Sequence, residues 1–338
     1  MRLIVLNLFL LSWFVLPIYA QTPEHYYKKG IENAEAEKYE KALQFIKRAI
    51  ELKADYWEAY YAQGTARYRM GKYEKAIEDY TKVIELNPSI IEAYYQRAWA
   101  KDALKQYESA LLDYNKTIEL DSKYPYAYGY RGICKRNLGD FEGSIRDYNR
   151  AIEIDPTDYQ TLYNRGVVKN AQGDTEAAMK DYYRVLDLAP NHFYTHHNIA
   201  EIKRGLGKYE EAISYFSKAI EIDSEIWYSY SGRGMVKDAQ GDYEGALEDY
   251  NSAIKLDFEQ PYPYNNRGYT YYHLKNYEAA LRDCTYSLKL DPSNSYAYYY
   301  RGLALQALKK KEEACQDFQK SKELGYPEMG DVLEEYCK

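Results

Sequence analysis

Residues 57–90 read WEAYYAQGTARYRMGKYEKAIEDYTKVIELNPSI, and residues 91–124 read IEAYYQRAWAKDALKQYESALLDYNKTIELDSKY. The two stretches align without a gap. Each holds two helical segments split by a short turn, Met70-Gly71-Lys72 in the first. Small residues, Gly64 and Ala76, stand where the two helices approach, and Tyr80 fills the space beside them. Further along, Ala212, Phe216, Ala219 and Ile220 repeat the design with the i, i+4, i+7, i+8 spacing of one buried stripe. Asn87-Pro88 closes the first stretch, because a residue before proline avoids the helical region. One such pair cannot bury its apolar face alone, so its stability is shared with neighbours.

The register runs through the chain. Pro88, Pro156, Pro190 and Pro292 are separated by 68, 34 and 102 residues, all multiples of 34. A column at the same period holds Ala42, Ala76, Ala110, Ser144, Ala178, Ala212, Ala246, Ala280 and Ala314. A second holds Gly30, Gly64, Ala98, Gly132, Gly166, Ala200, Gly234, Gly268 and Gly302. The spacing predicts nine units over 23–328: 23–56, 57–90, 91–124, 125–158, 159–192, 193–226, 227–260, 261–294 and 295–328. Thr22-Pro23 reads as N-cap and first-turn proline of the first helix. Ala54, Ser122, Ser224 and Phe258 stand where other units carry the closing proline, so the punctuation is weaker there.

Nine copies also allow comparison within the chain. The seventh position is arginine in most units and the twenty-third is aspartate. Both change together in the sixth, to Ile199 and Tyr215; the first has Lys29 and Phe45, and the second sets Gln63 opposite Asp79. This predicts structural pairs within units: Arg97–Asp113, Arg131–Asp147, Arg165–Asp181, Arg233–Asp249, Arg267–Asp283 and Arg301–Asp317. The other reading is a row of arginines facing an anionic ligand.

With an aromatic residue at position 4 (Tyr26, Tyr60, Tyr94, Tyr128, Tyr230, Tyr264, Tyr298), small residues at 8 and 20 and an aromatic at 24, the chain resembles the tetratricopeptide repeat (TPR) family over about nine-tenths of its length. The resemblance implies an all-α fold, a right-handed superhelical solenoid of helix-turn-helix units. It also implies a concave groove lined by the first helix of each unit, at positions 2, 5, 9 and 12. Carried onto this chain, those positions give a tyrosine-rich wall for a partner: Tyr27, Tyr61, Tyr95, Trp99, Tyr126, Tyr163, Tyr194, Tyr228, Tyr262, Tyr296 and Tyr299. Glu24, Glu58 and Glu92 concentrate carboxylates at its N-terminal end. Tyrosine suits binding, offering apolar area with a hydrogen-bonding tip at modest entropic cost. The basic clamp by which some family members hold acidic peptides is not supplied by any three successive units. The C-terminal run from Glu323-Leu324-Gly325-Tyr326-Pro327 to Tyr336-Cys337-Lys338 resembles periplasmic TPR proteins of Bacteroidota-type bacteria.

Residues 329–338 are expected to fold back as a capping helix, supplying the polar outer face that terminal repeats need. Cys315 and Cys337 each stand eleven residues from Tyr326, so in an antiparallel pair they lie at one height and can form a disulfide. Cys134 and Cys284 fall in distant units and are expected to be free, packed thiols.

Nothing in the chain reads as catalytic. There is no His-Glu-x-x-His, no phosphate loop with the right spacing and no nucleophile elbow. His192, His196 and His197 cluster but read as packing and surface residues, not metal ligands. No cofactor is expected. Asn115-Lys116-Thr117 matches a glycosylation sequon inside a helix and is discounted. The formal net charge of −7 argues against a nucleic-acid footprint. Met1-Arg2, the apolar run Leu3–Leu16, Pro17 and Ala20 predict a signal peptide over 1–20, with a membrane anchor as the other reading. The expected mature chain is a periplasmic or secreted scaffold, without stable membrane insertion, that binds a peptide segment or protein partner. The alternative is a glycan or cell-wall polymer stacked on the tyrosines. The oligomeric state is left open.

Overall fold

The computed structural model of the chain describes residues 22–124, 126–327 and 329–337; the expected signal segment lies outside them. Among the described residues there are helices and turns but no strand. The protein is an all-α, helical repeat solenoid. It divides into two compact units, one up to Asp181 and one from Tyr182 onward.

In the first unit the first (A) and second (B) helix of each repeat alternate: α1 (Pro23–Glu35), α2 (Tyr39–Leu52), α3 (Trp57–Arg69), α4 (Tyr73–Leu86), α5 (Ile91–Ala103), α6 (Tyr107–Leu120), α7 (Ala127–Asn137), α8 (Phe141–Ile154) and α9 (Tyr159–Ala171). The division falls within α10 (Thr175–Leu188). The second unit continues with α11 (Phe193–Gly205), α12 (Tyr209–Ile222), α13 (Trp227–Gln240), α14 (Tyr243–Leu256), α15 (Pro261–His273), α16 (Tyr277–Leu290), α17 (Ser295–Ala307), α18 (Lys311–Glu323) and α19 (Met329–Tyr336). Thr22 Oγ1 accepts from the His25 N–H, capping α1 with Pro23 in its first turn.

Each hairpin closes on its small-residue column. A Cβ added to Gly64 would come within 2.9 Å of the Tyr80 ring, one on Gly132 within 2.7 Å of Tyr148, and one on Gly302 within 2.6 Å of Phe318. The ring of position 24 therefore lies directly on the A-helix backbone, and Tyr80, Tyr114, Tyr148, Tyr182, Tyr250, Phe216 and Phe318 are fully buried.

The linker between hairpins is held by a residue the sequence reading passed over. In six repeats position 31 is Asn or Asp, and its side chain accepts the backbone N–H two residues on: Asn87 from Ser89, Asp121 from Lys123, Asp155 from Thr157, Asp223 from Glu225, Asp257 from Glu259 and Asp291 from Ser293. These are Asx turns. They recur whether or not proline follows, so Ser122, Ser224 and Phe258 do not weaken their linkers.

At the C-terminus α19 caps the last hairpin, ending at Tyr336. Val332, Leu333 and Tyr336 pack on Leu305 and Phe318. Cys315 and Cys337 form a disulfide with their Cα atoms 5.4 Å apart. Cys134 and Cys284 are free and buried, and burial pushes both thiols up.

Candidate binding surface

The A helices carry the residues expected at the partner-binding wall, and their neighbours decide which of them face solvent. In the second unit, Tyr262 and Tyr296 keep 55 % and 50 % of their surface exposed, and Tyr194 is also exposed. Tyr228 is half-buried, its ring 4.7 Å from His197 and 5.8 Å from Phe193 in edge-on contacts. A cleft of about 350 Å³ opens among Tyr228, Tyr262 and Tyr296, floored by Ser231, Gly232, Met235, Asn265 and Asn266 and edged by Trp227, Glu201 and Tyr300. The amides of Asn265 and Asn294 meet at 3.0 Å beneath it, both buried. Glu201 binds Arg204 at 2.7 Å, so the cleft carries little net charge.

Several other expected wall residues are spent on packing. Tyr95 is only 7 % exposed, enclosed by Tyr114, Tyr124 and Tyr130 at 5.1–6.0 Å. Trp99 stacks on Tyr68 at 5.1 Å and meets Tyr130 at 5.6 Å. Tyr299 stacks on Tyr326 at 4.4 Å and touches Phe318, so the C-terminal cap occupies the face it would offer. Tyr126 is exposed but lies before α7, not on it. Its backbone is left-handed, with φ 66°, and it borders a separate cleft with Tyr124, Tyr128 and Asp155. Tyr27, Tyr61 and Tyr163 are half-buried, the first two lining one cavity with Trp57.

The charged columns form a lattice inside each hairpin. In six hairpins the arginine of position 7 donates through Nε and Nη2 to both oxygens of the aspartate, at 2.6–2.9 Å: Arg97–Asp113, Arg131–Asp147, Arg165–Asp181, Arg233–Asp249, Arg267–Asp283 and Arg301–Asp317. Its Nη1 reaches back to the preceding hairpin, to Thr81, Asn115, Asn149, Ser217 or Asn251. Where it does, all three guanidinium nitrogens are engaged internally, which leaves no open fork for an anionic ligand. Position 11, which the sequence reading missed, supplies a second cation: Lys101, Lys135, Lys169 and Lys237 lie 2.8–2.9 Å from the same aspartates. In the second hairpin Gln63 and Arg67 share Asp79, whose carboxyl burial pushes up from 3.8 to about 6. In the first, Lys29 lies over the Phe45 ring.

The three clustered histidines are tied into local hydrogen bonds. His196 binds the Pro190 carbonyl oxygen at 2.8 Å, His192 meets Thr195 at 2.7 Å and His197 meets Ser229 at 3.1 Å. No group of three or more potential metal ligands occurs among the described residues.

Models of the tetratricopeptide repeat match residues 57–90 and 261–294, 157–225, 91–124 and 296–328, and models of the TPR repeat match 135–173 and 239–275. The chain belongs to the tetratricopeptide repeat family. Among solved structures, it resembles a tetratricopeptide repeat protein from Parabacteroides merdae at 20 % identity, with a TM-score of 0.58, covering 73 % of this chain and 99 % of that one. It also resembles the Cut9–Hcn1 hetero-tetramer of the APC/C at 13 % identity, with a TM-score of 0.60, covering 94 % of this chain and 76 % of the other. At these identities the likeness is one of fold. No curated protein matches the chain. As a TPR protein it buries position 24 and leaves part of its A-helix face open. No helix among the described residues is long and apolar enough to cross a membrane.

Proposed function

We propose that this TPR protein is a non-catalytic interaction scaffold that holds a peptide segment or protein partner on its A-helix face. The principal seat is the cleft around Tyr228, Tyr262 and Tyr296. The observation that carries the reading is the pair of half-exposed rings, Tyr262 and Tyr296, standing over a floor of serine, glycine and asparagine. Rigid rings give contact area, and the amides suit the backbone groups of an extended chain. The small charge of the cleft also suits a sugar face stacked on the rings, which is the second reading. The protein acts after export to a periplasmic or extracellular site. The Cys315–Cys337 disulfide supports that address, since such bonds persist in oxidising compartments.

The test places a photo-crosslinking residue at Tyr262, and for comparison at Glu221 on α12, in cells that make the protein. A protein partner captured from Tyr262, and lost when Tyr296→Ala is added, is the expected result. Capture only from Glu221, or competition by soluble oligosaccharide in place of peptide, overturns it.

A further inference from the structure

The first unit carries a cavity of different chemistry. About 280 Å³ in volume, it is lined by Tyr27, Trp57, Glu58, Tyr61, Ile90 and Glu92. Tyr27 and Tyr61 also border an adjoining cavity of about 490 Å³, where Arg69 stands with Glu35 and Glu37. Three rings, an isoleucine and two carboxylates line the smaller cavity, and no lysine or arginine does. Some glutamates on the B helices are tied to neighbouring cations, as in Arg48–Glu51, Lys82–Glu85 and Lys116–Glu119. Neither Glu58 nor Glu92 has such a cation among the described residues. The rings feel the difference. Burial and then Glu58 push the Tyr27 phenol up, and burial and then Glu92 do the same to Tyr61.

Aromatic rings beside carboxylates without a neighbouring cation select a cation. Ring faces attract ammonium and guanidinium groups, and carboxylates add charge-assisted hydrogen bonds. An acidic segment or a free C-terminus meets only repulsion there, and the net charge of −7 acts in the same sense at long range. We propose that this cavity receives an arginine or lysine side chain from an extended segment of a protein partner. The inference rests on the scaffold reading but uses a separate surface.

The geometry also sets a register. Glu24, Glu58 and Glu92 occupy one repeat position on α1, α3 and α5, whose neighbours pack against each other. Packed helices lie about 8–10 Å apart, and an extended polyproline II chain rises about 3.1 Å per residue with three residues per turn, so every third side chain returns to one face about 9 Å further on. Cationic residues at every third position therefore meet successive glutamates.

The test is fluorescence anisotropy of the intact protein with a fluorescein-labelled peptide, Gly-Ser-Arg-Gly-Ser-Arg-Gly-Ser-Arg-Gly-Ser, at low salt. Two control peptides replace the arginines by glutamates or gather the three arginines together. Expected results are binding of the spaced arginine peptide, none of the glutamate peptide, weaker binding of the gathered one, and weakening by salt. Glu58→Gln with Glu92→Gln should weaken binding about tenfold, or 1.4 kcal/mol, and Trp57→Ala should weaken it too. Tyr262→Ala with Tyr296→Ala should leave it unchanged. Absence of binding, equal binding of arginine and glutamate peptides, or indifference to the paired glutamine variant overturns the proposal. Loss of binding in the Tyr262/Tyr296 variant alone overturns it while leaving the scaffold reading intact.

Discussion

Asp249→Ala tests the internal charge lattice. Asp249 is 3 % exposed and accepts from Arg233 Nε and Nη2 at 2.9 and 2.7 Å, with Lys237 Nζ at 2.9 Å. Its removal leaves two cations side by side with no carboxylate between them. Deleting one partner of a buried ion pair costs about 3–5 kcal/mol, whereas an exposed pair contributes about 0–1 kcal/mol. The Arg233 and Lys237 side chains keep 20 % and 18 % of their exposure, so they recover part of their hydration. The expected loss is about 2–3 kcal/mol, between those limits. The sixth hairpin shows an uncharged solution at the same two places, with Ile199 fully buried and Tyr215 half-buried. Arg233→Ile with Asp249→Tyr should therefore cost less than Asp249→Ala alone, because it leaves one cation, Lys237, without its carboxylate where the single variant leaves two. Repeat arrays do not unfold as one unit, so the assay is hydrogen exchange of the α13 and α14 amides, read as local opening free energy. A loss below about 0.5 kcal/mol for Asp249→Ala, the range of ordinary surface changes, refutes the reasoning. So does a double variant that costs the sum of its singles.

Position 15 is left-handed in every hairpin, as glycine at Gly71, Gly139, Gly173, Gly207 and Gly241 but as Glu37, Lys105, Lys275 and Lys309 in the others. Lys105→Gly and Lys275→Gly should each stabilise by about 0.5–1 kcal/mol, the strain relieved less the entropy of the added glycine, measured by hydrogen exchange of the flanking helix amides. Asp238 accepts from Tyr250 and Thr270 hydroxyls, and burial pushes its carboxyl up from 3.8 to about 6. Between those values the folded protein binds more protons than the unfolded chain, so this contribution is complete below about pH 4 and lost as pH rises through 6. Asp238→Asn should flatten the fall in stability over that window, read by hydrogen exchange of the α13 and α14 amides, with Asp79 and Asp102, whose carboxyls burial also pushes up, carrying what remains.

The repeat register and the arginine–aspartate columns were legible because nine copies put the same physical demand in the same place. A pair that changes together at Ile199 and Tyr215 shows itself against the six copies that keep it. Lys101 and its counterparts were not legible in that way. They stand one helical turn beyond the arginines, and a lysine there reads as a solvated charge until the aspartate is seen within 2.8 Å. Asn87 and Asp121 were hidden differently, since the proline beside some of them drew attention to itself while the side chain at position 31 made the turn.

The wall residues show the limit most clearly. A repeat position assigns a tyrosine to a face of a helix, but the volumes at positions 5 and 6 decide whether that face is open. Where those places hold Tyr95 or Tyr130, aromatic rings fill the space and close the surface. Where they hold Ser231-Gly232 and Asn265-Asn266, nothing fills it, and Tyr262 and Tyr296 are left standing over a cleft. A Cβ on Gly232 would come within 2.6 Å of the Phe216 ring and 3.0 Å of Glu201 Oε1, so the opening is built into the backbone approach as well as the side chains. The residues that make the cleft are thus the small ones beneath the tyrosines, and only their combination over neighbouring hairpins separates a binding surface from a packed one.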